Sequence, residues 1–209
     1  MTSPGHHSEP EFDLSGGILC LDFANTVSQR KTTEQRRDDL PGYAQLVFFA
    51  RDSGVVSPRF ARELLDFSDV KPRDQDRVFQ TAIGLREAIY RVFAAIANSK
   101  EASRRDVKLI EEFATEAMEH RQLTSSGGEY RWEWKRDKDE RLAYVLWPIA
   151  QSAAELLTSD RVKKVRECDA PTCAWLFLDE SRNHSRRWCD MSVCGNRQKA
   201  KRHYERQRK

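Results

Sequence analysis

Apolar residues recur at helical spacing through most of the chain. Across residues 73–98, Val78, Phe79, Ala82, Ile83, Leu85, Ile89, Val92, Phe93 and Ile96 form one stripe, with Arg77, Arg86, Glu87 and Arg91 elsewhere. That pattern predicts a long amphipathic helix against a core. Val107, Ile110, Phe113, Ala114 and Ala117 predict a second helix, opened by Ser103 and Asp106 as a capping box with Asp in place of Glu. Asp137 to Ser159 predicts a third on Leu142, Val145, Leu146, Ile149, Ala153, Leu156 and Leu157, with Pro148 kinking or breaking it around Tyr144–Trp147. Shorter helices are expected from Pro41 to Gly54 and from Ser57-Pro58, where serine caps and proline suits the first turn. Ile18–Phe23 is too short an apolar run to separate strand from helix, and the charged Arg30–Asp39 reads as a loop.

The helical period lapses in two places. Arg121–Thr124 and Tyr130–Trp134 flank Ser125-Ser126-Gly127-Gly128, which predicts a hairpin with Tyr130, Trp132 and Trp134 on one face. These three, with Tyr144 and Trp147, suit a stacking site, but packing in the core is the expectation. The second lapse begins after a charged joint, Arg161–Glu167. There Ala174–Asp179 reads as a strand, Ser181–Arg187 as a polar turn, and the chain from about Ser192 as a helix.

Four cysteines fall in that last region. Cys168 and Cys173 are separated by four residues, Cys189 and Cys194 by four more, and the pairs by fifteen. Two short loops of this kind can curl their thiolates onto one ion from opposite sides, which predicts a closed tetrahedral site for one structural zinc. His184 is a rival ligand, although four cysteines already complete the tetrahedron. The finger holds few apolar residues, so the metal would supply much of its folding free energy, on the order of 10 kcal/mol.

The second pair opens Cys194-Gly195-Asn196-Arg197, preceded by Trp188 and followed by Lys199. This resembles the CGNR zinc finger. Leu19-Cys20-Leu21-Asp22-Phe23-Ala24-Asn25-Thr26-Val27 resembles the opening of the ABATE domain that precedes such fingers. The resemblance implies a bacterial, stress-related transcription regulator. The expected architecture is mostly α: a leader over 1–12, a helical ABATE-like domain with one hairpin over 13–160, and a treble-clef-like finger with a basic helix over 161–209.

Charge sharpens this picture. The net charge of +3 over 209 residues is unevenly spread. Residues 160–209 hold 14 Lys+Arg against 7 Asp+Glu, while the remainder holds 22 against 26. A basic appendage on a slightly acidic body suits a nucleic-acid partner. Arg186, Arg187, Asn196, Arg197, Lys199, Lys201, Arg202 and Arg206 are the candidate DNA contacts, with Arg182 and Arg208 as further phosphate partners. Asn196 and Arg197 suit base edges, and beside a zinc ligand they equally suit bracing the knuckle. Gly195 is expected to answer a backbone need of the knuckle.

In the N-terminal run, Asp22, Asn25 and Thr26 form a polar cluster that suits either a small-ligand pocket or local capping. Cys20 reads as a small buried apolar residue. There is no apolar run near 18 residues and no secretory signal, and the cysteines are paired as metal ligands, so a cytoplasmic location is expected. No Gly-x-Ser-x-Gly, His-Glu-x-x-His or phosphate loop occurs, so no enzyme is expected. The function expected is that of a DNA-binding transcription regulator whose helical domain senses a small molecule or protein, with a homodimer as a candidate assembly. The alternatives are a finger that docks on transcription machinery, and a helical domain with an unassigned enzymatic reaction.

Overall fold

The computed structural model describes residues 11–136 and 141–207, without the side chains of 202, 203 and 206. The first ten residues of the expected leader lie outside it. The chain opens with α1 (Leu19–Ala24), followed by the short antiparallel strands β1 (Val27–Ser28) and β2 (Arg37–Asp38). The ambiguous apolar run is therefore helical. Its residues 20–24 are all buried, packed against elements from much later in the chain.

Next come α2 (Tyr43–Asp52), α3 (Pro58–Asp69), α4 (Pro72–Ala97) and α5 (Arg104–Glu119). α2 is followed by Gly54 at φ +76°, a left-handed backbone that glycine accepts without strain. Ser57 caps α3, its hydroxyl accepting from the Phe60 N–H at 3.2 Å, with Pro58 in the first turn. α4 buries Val78, Ala82, Leu85, Ile89, Val92 and Phe93, the expected stripe. The capping box at α5 does not form, because Ser103 makes no side-chain cap. Asp106 instead takes a forked pair of bonds from Arg91 at 2.6 and 2.8 Å, a stronger charge-assisted interaction than the local one.

β3 (Arg121–Ser126) and β4 (Glu129–Trp134) form the hairpin, with Ser126 opposite Glu129. The turn is Gly127-Gly128 alone, at φ +62° and +86°, as a two-residue loop between twisted strands requires. One expectation is corrected here. Trp134 packs at the base of the ribbon, but Tyr130 and Trp132 are 76% and 53% exposed. They do share a face with Trp134, yet no helix covers that face towards the tip.

A 3-10 turn (Arg141–Val145) leads into α6 (Leu146–Thr158), so the third long segment breaks where expected. Pro148 then sits in the first turn of α6, where it sacrifices no intrahelical bond. The start of that segment, 137–140, is outside the described residues.

A second 3-10 turn, Asp160–Lys164, joins α6 to β5 (Val165–Glu167), which pairs antiparallel with β6 (Leu176–Leu178). A π-turn (Met191–Gly195) runs into α7 (Asn196–Gln207). The first knuckle turns the β5–β6 hairpin, and the second knuckle and α7 follow, as in a treble clef. The main core does not stop at α6, because Val165, Leu176 and Leu178 belong to the same buried cluster as the helices. The alternation of β6 divides its side chains. Leu176 and Leu178 face the helical core, and Phe177 faces a second cluster built around the cysteines.

Candidate metal centre and its basic helix

The four cysteine sulfurs lie within 4.8 Å of one another, and all four residues are wholly or largely buried. Cys173 Sγ is 3.7 Å from Cys189 Sγ, which is 3.6 Å from Cys194 Sγ. A tetrahedron with metal–sulfur bonds of about 2.3 Å has sulfur–sulfur edges of about 3.8 Å. The donor set therefore fits one zinc ion and leaves no coordination position open to substrate. Packed together without a cation, the groups favour one thiolate at the expense of the rest: hydrogen bonds from Cys173 and Cys189 hold Cys168 below the usual thiol range. Hydrogen bonding to Cys168, followed by burial, pushes Cys173 up to about 12. Contact with Cys168 and Cys173 raises Cys189, and burial raises Cys194. A divalent cation reverses that balance by favouring thiolates.

Each knuckle has its own supports. In the first, the Cys168 N–H donates to Trp175 O and the Cys173 N–H to Ala170 O, with Ala174 at φ +62°. In the second, Asp190 caps the π-turn through the Val193 N–H at 2.8 Å and accepts from the Ser192 hydroxyl. Those bonds hold its carboxyl below the usual range. Gly195 packs under Trp188 and Met191, where a Cβ would lie 3.2 Å from the indole and overlap Met191 Sδ. His184 stands outside the sulfur cluster, its Nδ1 paired with Asp179 O at 3.0 Å. Asp179 is fully buried and organises the intervening loop, accepting from the Ser181 hydroxyl and from the Ser181 and Arg186 N–H groups.

The candidate DNA contacts divide by geometry. Arg186 donates to the carbonyls of Trp188 and Cys189 and lies 4.6 Å from the Phe177 ring centroid. Arg187 pairs with Asp169 at 2.7 Å. Asn196, Arg197, Lys199 and Lys201 are exposed on α7. Among the described residues Arg197 and Lys199 have no ion-pair partner, and Lys201 meets Glu205 at 4.0 Å. The side chains of Arg202 and Arg206, and all of Arg208, lie outside the described residues. Arg197 borders a cleft of about 300 Å³ between the second knuckle and the N-terminal loop, with Arg37 among its lining residues.

The polar cluster of the N-terminal run is built into the seam with the finger. In the β5–β6 pair, the N–H and C=O of Leu176 and the N–H of Leu178 point away from β5. The Asn25 side chain takes both groups of Leu176, donating to the carbonyl at 2.8 Å and accepting from the N–H at 2.9 Å. Gly16 O accepts from the Leu178 N–H. A side-chain amide thus stands where a third strand would, and satisfies an otherwise bare edge.

Asp22 accepts from the Gly16 N–H at 2.8 Å, and a Cβ on Gly16 would lie only 2.7 Å from that carboxylate. Burial, partly offset by this bond, raises Asp22 to about 7. The Thr26 hydroxyl donates to Phe23 O and accepts from Arg86. The three residues border a cavity of only about 60 Å³, room for a few waters.

Several residues of this seam carried no sequence signal. Trp175 Nε1 donates to Val27 O, the Arg30 and Lys31 N–H groups donate to the carbonyls of Cys173 and Thr172, and Lys31 pairs with Glu167 at 2.7 Å. The loop that carries them is pinned to α4 from below. Arg86, 1% exposed, forks onto Asp38 at 2.7 Å through both terminal nitrogens, and Arg30 forks onto Glu87. Burial opposes ionisation of Asp38 and Glu87, but these guanidinium groups hold both carboxyls below the usual range. Only the Asn-Thr pair at the end of an apolar run hinted at a buried polar function.

Fold and site together define a helical domain closed by a four-cysteine zinc finger. Residues 17–160 match ABATE, described as "Putative stress-induced transcription regulator", and residues 164–207 match the CGNR zinc finger. The chain belongs to the ABATE family and carries a CGNR finger at its C-terminal end. No curated protein matches it. Among the described residues no helix is long and apolar enough to cross a membrane.

Proposed function

We propose that this chain is a zinc-dependent, DNA-binding transcription regulator in which α7 docks on the duplex and the helical domain senses a small ligand or partner. One observation carries the reading: α7 starts two residues after the last zinc ligand and presents exposed Arg197 and Lys199, without ion-pair partners among the described residues, beside Lys201. The metal fixes the root of the helix, while its basic side chains remain available to phosphate. Arg186 and Arg187 differ, since each already donates within the finger, Arg186 through Nε and a terminal nitrogen and Arg187 through Nε. Arg197 makes no bond to the knuckle, which favours an outward contact over a bracing one.

The test is a binding-site selection with the zinc-loaded full chain, followed by titration at several salt concentrations. Log affinity is expected to fall linearly with log salt, and Lys201→Ala to reduce the slope by about one unit. Arg197→Ala should relax preference at one position, at a cost of about 1–3 kcal/mol on the selected site, with zinc content unchanged. Absence of duplex binding at low salt would overturn this reading. The finger would then be read as a protein-docking module, which the exposure of Met191, Val193 and Tyr204 favours.

A further inference from the structure

The β3–β4 ribbon has an outer edge with nothing paired to it among the described residues. The Lys135 N–H continues the ladder by donating to His120 O, so Glu129, Arg131 and Glu133 are the positions of β4 bonded to β3. Tyr130, Trp132 and Trp134 therefore turn their backbone N–H and C=O groups away from β3. An edge of this kind is a template for another strand.

The side chains follow the same alternation. Arg131 and Glu133 pair at 2.6 Å on one face. Arg121 lies 5.1 Å from the ring centroids of both Trp132 and Trp134 on the other, which Leu123 and Tyr130 share. Leu123, Tyr130 and Trp132 are 59%, 76% and 53% exposed, whereas Trp134 packs against the core. Exposed apolar surface beside a free edge marks a contact surface.

From Glu129 to Lys135 the strand is its own complement. Two copies laid antiparallel about Trp132 set Arg131 opposite Glu133 of the second copy and Glu129 opposite Lys135, each twice by symmetry. These are non-bonded positions, where side chains approach most closely and opposite charges help most. On the other face Trp132 meets its own copy and Tyr130 meets Trp134, and these are the positions whose backbone groups point outward. Tyr130 thereby lands where the body of the second copy already packs against the ribbon. The same operation on β3 about Leu123 places Arg121 opposite Ser125, with no acid to meet it.

We propose that the chain forms a homodimer by antiparallel pairing of β4 with β4 of a second copy, centred on Trp132, so that two ribbons make one four-stranded sheet. The inference goes beyond the function proposed above and does not depend on DNA binding.

The test is sedimentation equilibrium of the zinc-loaded full chain with no DNA present. A dimer should be populated by about 100 μM, as suits a contact at the small end of specific interfaces. Arg131→Glu sets acid against Glu133 on both sides of the axis, and Glu133→Arg sets base against Arg131. Each should weaken the dimer about tenfold. An equimolar mixture of the two variants puts every acid opposite a base, and should associate about tenfold more tightly than either alone. The double variant Arg131→Glu, Glu133→Arg should return to the parent affinity. A change that merely loosened the ribbon would show neither rescue. Trp132→Pro loses only an outward N–H, so it spares the ladder to β3 and should leave the chain monomeric over the same range. If circular dichroism shows that this variant does not fold, the charge exchanges decide the matter alone. A parent chain that stays monomeric overturns the proposal, as does a dimer that ignores these charges or is not rescued by mixing.

Discussion

The two knuckles of the finger contribute two cysteines each to one ion, yet they are held in different ways. The first is gripped from outside: Asn25 on Leu176, Val27 under the Trp175 indole, and the backbone of Arg30 and Lys31 on Thr172 and Cys173. The second is braced from within the finger, by Arg186 on the carbonyls of Trp188 and Cys189, by Arg187 on Asp169 and by the Asp190 cap. α7 leans chiefly on the π-turn of that second knuckle. Position and display are thus divided. The first knuckle fixes where the ion sits relative to the helical domain, and through the ion the second sets where α7 emerges.

Metal loss should expose this division most forcefully. Cys173→Ser and Cys189→Ser are both expected to reduce zinc from one ion per chain to near zero, forfeiting a binding free energy on the order of 10 kcal/mol. Hydrogen exchange should then show residues 181–207 unprotected, while β5 and β6 keep partial protection because Val165, Leu176 and Leu178 stay in the helical core. Equal loss of protection in both parts would erase the distinction between the knuckles.

Asn25→Ala attacks the outside grip alone. It leaves a buried N–H and a buried C=O on Leu176 without partners, so chemical denaturation should register a loss of about 2–4 kcal/mol with zinc still bound. A loss below about 0.5 kcal/mol would mean the clamp is incidental.

Asp22 gives a pH dependence to the same grip. Its folded pKa of about 7 lies above the ordinary value of 3.8. A raised carboxylate contributes most below the unfolded value and loses that contribution as pH rises through about 7. The stability difference between Asp22→Asn and the parent chain should therefore move in favour of the variant by about 2 kcal/mol between pH of about 5.5 and 8.5. A difference that stays flat over that range would place the carboxyl at an ordinary value. Arg186→Lys, the smallest change, removes the forked donors of the inner brace. It should weaken zinc binding by about 1 kcal/mol in a chelator competition, with the Leu176 clamp untouched.

What the sequence made legible here was local. Ser57-Pro58 announces α3 because a cap acts over three residues. Gly127-Gly128 announces a turn because glycine takes both positive φ angles without strain. The cysteine pairs announce a metal because each loop closes over four residues. The grip on the first knuckle was not legible, because Asn25 and Leu176 meet across 151 positions. Arg86 looked like one more polar residue beside an apolar stripe, and only the folded loop brings Asp38 over it. Asp106 was assigned to the nearest N–H groups, and a guanidinium from the previous helix took it instead. For Tyr130 and Trp132 the alternation was right and the burial wrong, since nothing in a strand's period tells how far the neighbouring helices extend.

The strand β6 also bears on how the chain is made. α1 leaves the ribosome well ahead of the leucines that cover it, at 176 and 178. The helical domain therefore cannot close while its own residues are all that has been synthesised. It waits with an open floor through about 150 further residues, and pairings of such long sequence separation form late and slowly. When β6 arrives, it closes the older domain with its two leucines and begins the finger with Phe177. Within a few residues, completion of the first domain and nucleation of the second become a single folding event.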